Sequence, residues 1–165
     1  MKTNYSLRYA SHPVDAKNYD TQRLRKEFLI DTLFVNDEVN MVYSMYDRMI
    51  VGGVMPKAET LRLEAIDPLK ATYFTTRREI GVFNVGEGEG VVKVGEESFT
   101  LGFKEALYIG SGDRDVLFES KDPQHPAKFY FNSTCAHTSY PSRKVTKQDA
   151  ISPHMASLEM SNERN

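Results

Sequence analysis

An antiparallel all-β barrel or sandwich is the fold this sequence predicts, and three observations carry the prediction. Between residues 72 and 132, short apolar runs alternate with glycine-containing turns. Strand plus turn recurs roughly every 8–12 residues, the interval of sandwiches and barrels. No segment there has the length and 3.6-residue period of a crossover helix, which argues against a parallel α/β sheet.

Taken in order, residues 1–38 read as an arm with one short helix. Asp20 or Thr21 can cap it, and Leu24 with Phe28 gives an i, i+4 apolar pair on a charged segment. Residues 39–46 and 47–55 are rich in β-branched, aromatic and Met side chains. In 60–64, Leu61 and Leu63 alternate with Arg62 and Glu64, the period of a strand. Further strands are expected at 80–85, 91–94, 98–101, 106–109, 115–120 and 127–132. The glycines at 86, 88 and 90 could suggest a phosphate cradle, but a strand-like Val-Val-Lys-Val follows where a helix is needed, and Glu87 and Glu89 would repel phosphate. They read as a hairpin turn. The β domain is therefore placed at 39–145, with a polar tail at 146–165. Thr146 and Asp149 have capping-box spacing, and 155–165 lacks an apolar period, as in a linker or a cut end.

Composition sets the outer bounds. The chain has 165 residues, 21 Lys plus Arg against 23 Asp plus Glu, a net charge of −2 and 40% hydrophobic residues. That balance fits a globular domain with a sizeable core and not a disordered chain or a dedicated nucleic-acid binder. Cys135 is the only cysteine, so neither an intrachain disulfide nor a multi-cysteine metal site is expected, which suits a reducing cytoplasm. The first ten residues lack the apolar core of a secretory signal. The longest oily stretch, 49–55, is broken by Gly52 and Gly53, whereas a membrane helix needs about 20 apolar residues. A soluble, cytoplasmic protein without membrane or nucleic-acid partners is expected.

Several side chains are candidates for chemistry. His12, His125, His137 and His154 do not pair at ligand spacing. His137, just past the last strong strand, is the candidate to face a substrate and exchange a proton near neutral pH, with a hydrogen-bonded structural role as the alternative. Arg48, Arg77 and Arg78 suit a carboxylate ligand. Neighbours in a strand point to opposite faces, so only one of Arg77 and Arg78 can face inward and grip a carboxylate bidentately. The structural alternative is an ion pair with Glu79 or Glu64. Lys128, Tyr130 and Tyr140 complete the substrate-binding candidates.

The strand pattern also invites comparison with the cupin motifs. Glu79 and Gly86 fit the spacing of the first motif, but Thr72 and Phe74 stand where its two histidines belong. Gly102, Tyr108, Gly110 and Asp113 fall on the frame of the second, with Tyr for Pro and Asp for His. The expected fold is thus a cupin-type antiparallel β-barrel or jelly roll with a short N-terminal helical arm. With the imidazoles missing, no metal site is assigned in it.

The segments at 48–56, 77–86, 106–110 and 126–130, continued by His137-Thr138-x-Tyr140-Pro141-x-x-Lys144-Val145-Thr146, together resemble the 5-dehydro-4-deoxy-D-glucuronate isomerase family, also called 4-deoxy-L-threo-5-hexosulose-uronate ketol-isomerase. The resemblance implies a bacterial, cytoplasmic sugar-acid isomerase of pectin breakdown, a double cupin assembled as a homo-oligomer, a hexamer in the family. It implies conversion of 5-dehydro-4-deoxy-D-glucuronate to 3-deoxy-2,5-diketogluconate. It places zinc in a C-terminal barrel, beyond the tail of this chain, so no residue here inherits a zinc role. The chain then reads as the N-terminal cupin of such an enzyme, structural or cleft-forming and without a cofactor of its own. The alternative is a stand-alone cupin-like module that binds a sugar acid or drives oligomerisation without turnover.

Overall fold

The computed structural model describes residues 2–151, 153–161 and 164. Its strands, in chain order, are β1 (Lys2–Arg8), β2 (Glu38–Ser44), β3 (Ile50–Val54), β4 (Leu61–Arg62), β5 (Arg78–Asn84) and β6 (Gly90–Val94). Then follow β7 (Glu97–Leu101), β8 (Ala106–Ile109), β9 (Val116–Ser120), β10 (Phe129–Cys135) and β11 (Arg143–Val145). Two helices, α1 (Pro13–Ala16) and α2 (Thr21–Phe28), lie between β1 and β2. The described helices include none long and apolar enough to cross a membrane.

The all-β expectation holds. A seven-stranded sheet, ordered β1-β2-β3-β10-β5-β8-β11, faces a four-stranded sheet, β4-β9-β6-β7, across one apolar core. The two sheets do not close into a ring of hydrogen bonds, so the architecture is a sandwich of jelly-roll type. Period-two alternation decides which residues fill it. Ile80 and Val82 of β5, Phe129 and Phe131 of β10, and Val92 and Phe118 of the smaller sheet are essentially inaccessible. Phe118 meets Phe129 across the sheets at 5.2 Å between ring centroids, and Phe74 meets Phe131 edge to face at 6.0 Å.

Four features differ from the sequence-based expectation. The N-terminal segment begins with a strand: β1 pairs in parallel with β2, from Lys2 beside Glu38 to Arg8 beside Ser44. At the other end, β11 pairs antiparallel with β8. These are the two edges of the large sheet. An edge strand is held by hydrogen bonds on one side and carries mostly exposed side chains, so polar sequences such as Lys-Thr-Asn-Tyr-Ser-Leu-Arg serve there without an apolar period. The arm also holds two helices instead of one. Asp20 caps α2 by accepting from the Arg23 amide at 2.8 Å, and α2 buries none of its residues.

The fourth difference is the glycine segment at 86–90. It is not a hairpin turn, because β5 and β6 belong to different sheets. The chain crosses between sheets here under the control of Asn84, which is completely buried. Its Nδ2 donates to the carbonyls of Gly88 (2.7 Å) and Leu101 (3.0 Å), and its Oδ1 accepts from the amides of Gly86 (3.1 Å) and Lys128 (3.3 Å). The crossing runs hard against the 125–128 loop: a Cβ at Gly88 would lie 1.8 Å from the His125 carbonyl oxygen. Close approach, not turn geometry, is why glycine stands there. Downstream, the capping box forms as its spacing predicts, with Asp149 Oδ2 accepting from the Thr146 amide and hydroxyl, both at 2.8 Å. Asn162, Glu163 and Asn165, within the tail read as a linker, lie outside the described residues.

Candidate functional site

Only one of Arg77 and Arg78 is buried. Arg78, the first residue of β5, points inward and is 4% exposed, while Arg77, just before the strand, is exposed and lines the same cavity. Neither makes the ion pair with Glu79 or Glu64 that the sequence suggested as an alternative. Arg78 is held instead by neutral acceptors. Its Nη2 donates to the carbonyls of Arg48 (2.6 Å) and Ser133 (2.8 Å), its Nε to the Ser133 hydroxyl (3.1 Å), and its Nη1 approaches Cys135 Sγ at 3.6 Å. Arg77 donates through Nη2 to the Leu69 carbonyl at 2.6 Å, at the end of the 3-10 turn Asp67–Leu69.

Arg48 reaches the same place from the β2–β3 turn. Asp47 and Arg48 both adopt left-handed backbone, φ +52° and +53°, which lets a tight turn match the twist of the two strands. The Arg48 carbonyl thereby faces Arg78, and its guanidinium is close enough to Arg78 to oppose the second charge. The result is a cavity of about 160 Å³ bounded by Tyr43, Arg48, Phe74, Arg77, Arg78 and Cys135, and closed by the 68–71 segment. Burial draws the Arg78 guanidinium below its ordinary pKa; Cys135 and Tyr43 oppose that shift and Arg48 adds to it. No carboxylate pairs with Arg48, Arg77 or Arg78 among the described residues. Three cations meeting without an anion form a site suited to binding one.

The other candidates lie elsewhere. Lys128 is exposed beside the Gly86 crossing, where its amide would abut a Cβ at that glycine at 2.7 Å. Tyr130 sits on the outer face of β10, tilted against Phe83 at 6.0 Å. His137 and Tyr140 are exposed in the loop after β10. Sequence reasoning missed Tyr43 and Cys135 as walls of the cavity. The register that sets Cys135 opposite Arg78 is the only signal for Cys135, and it exists only once β10 has paired with β5. Wider grooves lie between β1 and α2 (about 700 Å³) and beside Phe103 (about 1110 Å³), but none of their lining residues is buried.

The residues on the cupin frame do not fit a zinc ion. Phe74, on the second histidine position, is buried edge-on to Phe131, and Thr72 is exposed. Glu79 points to the outer face of β5, where it accepts from the Tyr108 hydroxyl at 2.7 Å. Burial and the Glu79 carboxylate push the Tyr108 phenol up to about 12. Asp113 accepts from the Thr76 hydroxyl at 2.6 Å. Among the described residues no three His, Cys, Asp or Glu side chains cluster closely enough to share a metal.

No family model matches the chain. Curated proteins do. A protein of Bacteroides fragilis named 4-deoxy-L-threo-5-hexosulose-uronate ketol-isomerase is 66% identical over 165 residues, covering 100% of this chain and 59% of its own length. One of Bacteroides thetaiotaomicron, named 4-deoxy-L-threo-5-hexosulose-uronate ketol-isomerase 1, is 67% identical with the same coverage. A protein of the same unnumbered name from Escherichia coli is 48% identical over 149 residues, covering 89% of this chain and 53% of its own length. The chain thus spans about three-fifths of the length of the Bacteroides relatives.

Proposed function

We propose, on the premise that this chain belongs with the 4-deoxy-L-threo-5-hexosulose-uronate ketol-isomerases, to which it is homologous along its whole length, that it is one β-sandwich portion of a sugar-acid ketol-isomerase. The whole enzyme would convert 5-dehydro-4-deoxy-D-glucuronate to 3-deoxy-2,5-diketogluconate in uronate breakdown, as a cytoplasmic homo-oligomer. The observation that carries this is identity of 66% and 67% over all 165 residues to proteins so named.

Moving a carbonyl from an aldehyde carbon to its neighbour requires a base that removes a proton beside the carbonyl. It also requires an electrophile that steadies the oxygen as an enediol forms. The residues of this chain supply framework and cations. Its cupin-frame positions hold Thr72, Phe74, an outward Glu79 and a hydroxyl-bound Asp113, a donor set that favours a sandwich without its own metal. The proton-transfer groups, and the zinc the family resemblance implies, then belong to the remaining length of the relatives.

The test compares the 165-residue chain with a polypeptide of the relatives' full length, following loss of 5-dehydro-4-deoxy-D-glucuronate by NMR. Turnover by the longer polypeptide and none by the 165-residue chain is expected. Turnover by the chain alone, or none by the longer polypeptide, overturns the proposal.

A further inference from the structure

We infer that the cavity framed by Arg48, Arg77 and Arg78 is a carboxylate-binding site that receives the acid end of a sugar acid. The sugar-acid identity rests on the functional reading above; the existence of an anion site does not. A buried charge is costly unless paired, and Arg78, 4% exposed, finds carbonyl, hydroxyl and thiol partners and the face of the Tyr43 ring at 5.7 Å, but no anion. Its Nη1 has one weak sulfur acceptor for two N–H groups, which leaves donor capacity for a ligand oxygen. A staple between β10 and the β2–β3 turn needs one arginine, yet two more line the same cavity.

Arg48 sharpens the point. Its residue sits at φ +53° in the β2–β3 turn, where glycine would be relaxed. The bond to Arg78 uses only the Arg48 carbonyl, so the backbone role does not require the guanidinium. Size sets the ligand's reach. At about 160 Å³ the cavity is smaller than a pocket for a whole drug-sized ligand, roughly 300–1,000 Å³. It takes one polar end and leaves the rest of the molecule outside.

Cys135, the single cysteine of the chain, lines the cavity and reports on it. Its alkylation by anionic iodoacetate is compared with that by neutral iodoacetamide, with 2-mercaptoethanol as the reference thiol. A one-signed cleft raises local anion concentration and encounter rate by tenfold or more. The iodoacetate-to-iodoacetamide rate ratio at Cys135 is therefore expected to exceed the reference ratio about tenfold. D-Galacturonate should slow labelling, while D-galactose should not. Arg48→Gly keeps the carbonyl that holds Arg78, relaxes the backbone and should abolish most of the preference.

An unchanged ratio, equal protection by D-galactose, or a preference untouched by Arg48→Gly overturns the site. Equal protection by sulfate overturns its assignment to carboxylates. If Cys135 resists both reagents, calorimetry decides: binding heat with D-galacturonate that Arg48→Gly removes supports the site, and no heat at millimolar ligand overturns it. These measurements use the 165-residue chain. A longer polypeptide without isomerase activity would therefore overturn the proposed function and leave the site standing.

Discussion

Replacing Asn84 with leucine keeps the side-chain volume close to native and removes the four side-chain hydrogen bonds that tie the crossing to its neighbours. The Gly88 and Leu101 carbonyls lose donors at 2.7 and 3.0 Å, and the Gly86 and Lys128 amides lose an acceptor at 3.1 and 3.3 Å. Asn84 is 0% exposed, so water does not reach its position to replace it. Each buried partner left unsatisfied costs about 1–3 kcal/mol, and taking the low end for the three buried contacts gives about 3 kcal/mol. That is a large part of the roughly 5–15 kcal/mol that holds a domain together. With a urea m-value near 2 kcal/mol/M, the unfolding midpoint should fall by about 1.5 M. Equilibrium urea unfolding followed by circular dichroism measures this directly. A loss under about 1 kcal/mol at unchanged m would refute the assignment of the crossing to Asn84.

Two further outcomes follow from local geometry. Tyr108 is raised to about 12 by burial first and by Glu79 second, so its neutral form favours the folded state. That contribution is complete below the ordinary value of 10.0 and is lost as pH rises toward 12. The phenolate absorbance of the wild type minus that of Tyr108→Phe isolates the titration, and Glu79→Gln should lower the midpoint only part of the way to 10.0, because burial remains. A midpoint unmoved by Glu79→Gln would exclude the carboxylate as a cause. Asp20→Ala deletes the cap of α2, worth about 1 kcal/mol to the helix. Since α2 buries no residue, faster amide exchange should stay within Thr21–Phe28 and leave the urea midpoint in place; a shifted midpoint would show that the arm is coupled to the core.

Part of the candidate site was legible before folding and part was not. Strand alternation predicts that only one of Arg77 and Arg78 faces inward, and the residue types mark them as partners for an anion; because Arg77 lies just before β5, both line the cavity. Parity does not say which of the two is inside, because that depends on which face of the strand meets the opposing sheet. Nor does it bring in Arg48, thirty positions away from Arg78 in the chain and joined to it through one carbonyl. Lys128, Tyr130, His137 and Tyr140 have equally suitable chemistry, yet they fall on an outer face and in loops away from the cavity.

The strands from β2 to β10 could be read from the chain itself, because a side chain must alternate between core and solvent whichever strand it pairs with. The same holds for the Asp20 cap and the Thr146–Asp149 box, whose partners are three residues apart. Pairing belongs to the tertiary structure. Only there do the polar edges β1 and β11 acquire neighbours, the glycines at 86–90 become a crossing beneath the His125 carbonyl, and three arginines share one cavity. Each of these depends on contacts between residues far apart in the chain, and no local period encodes such contacts.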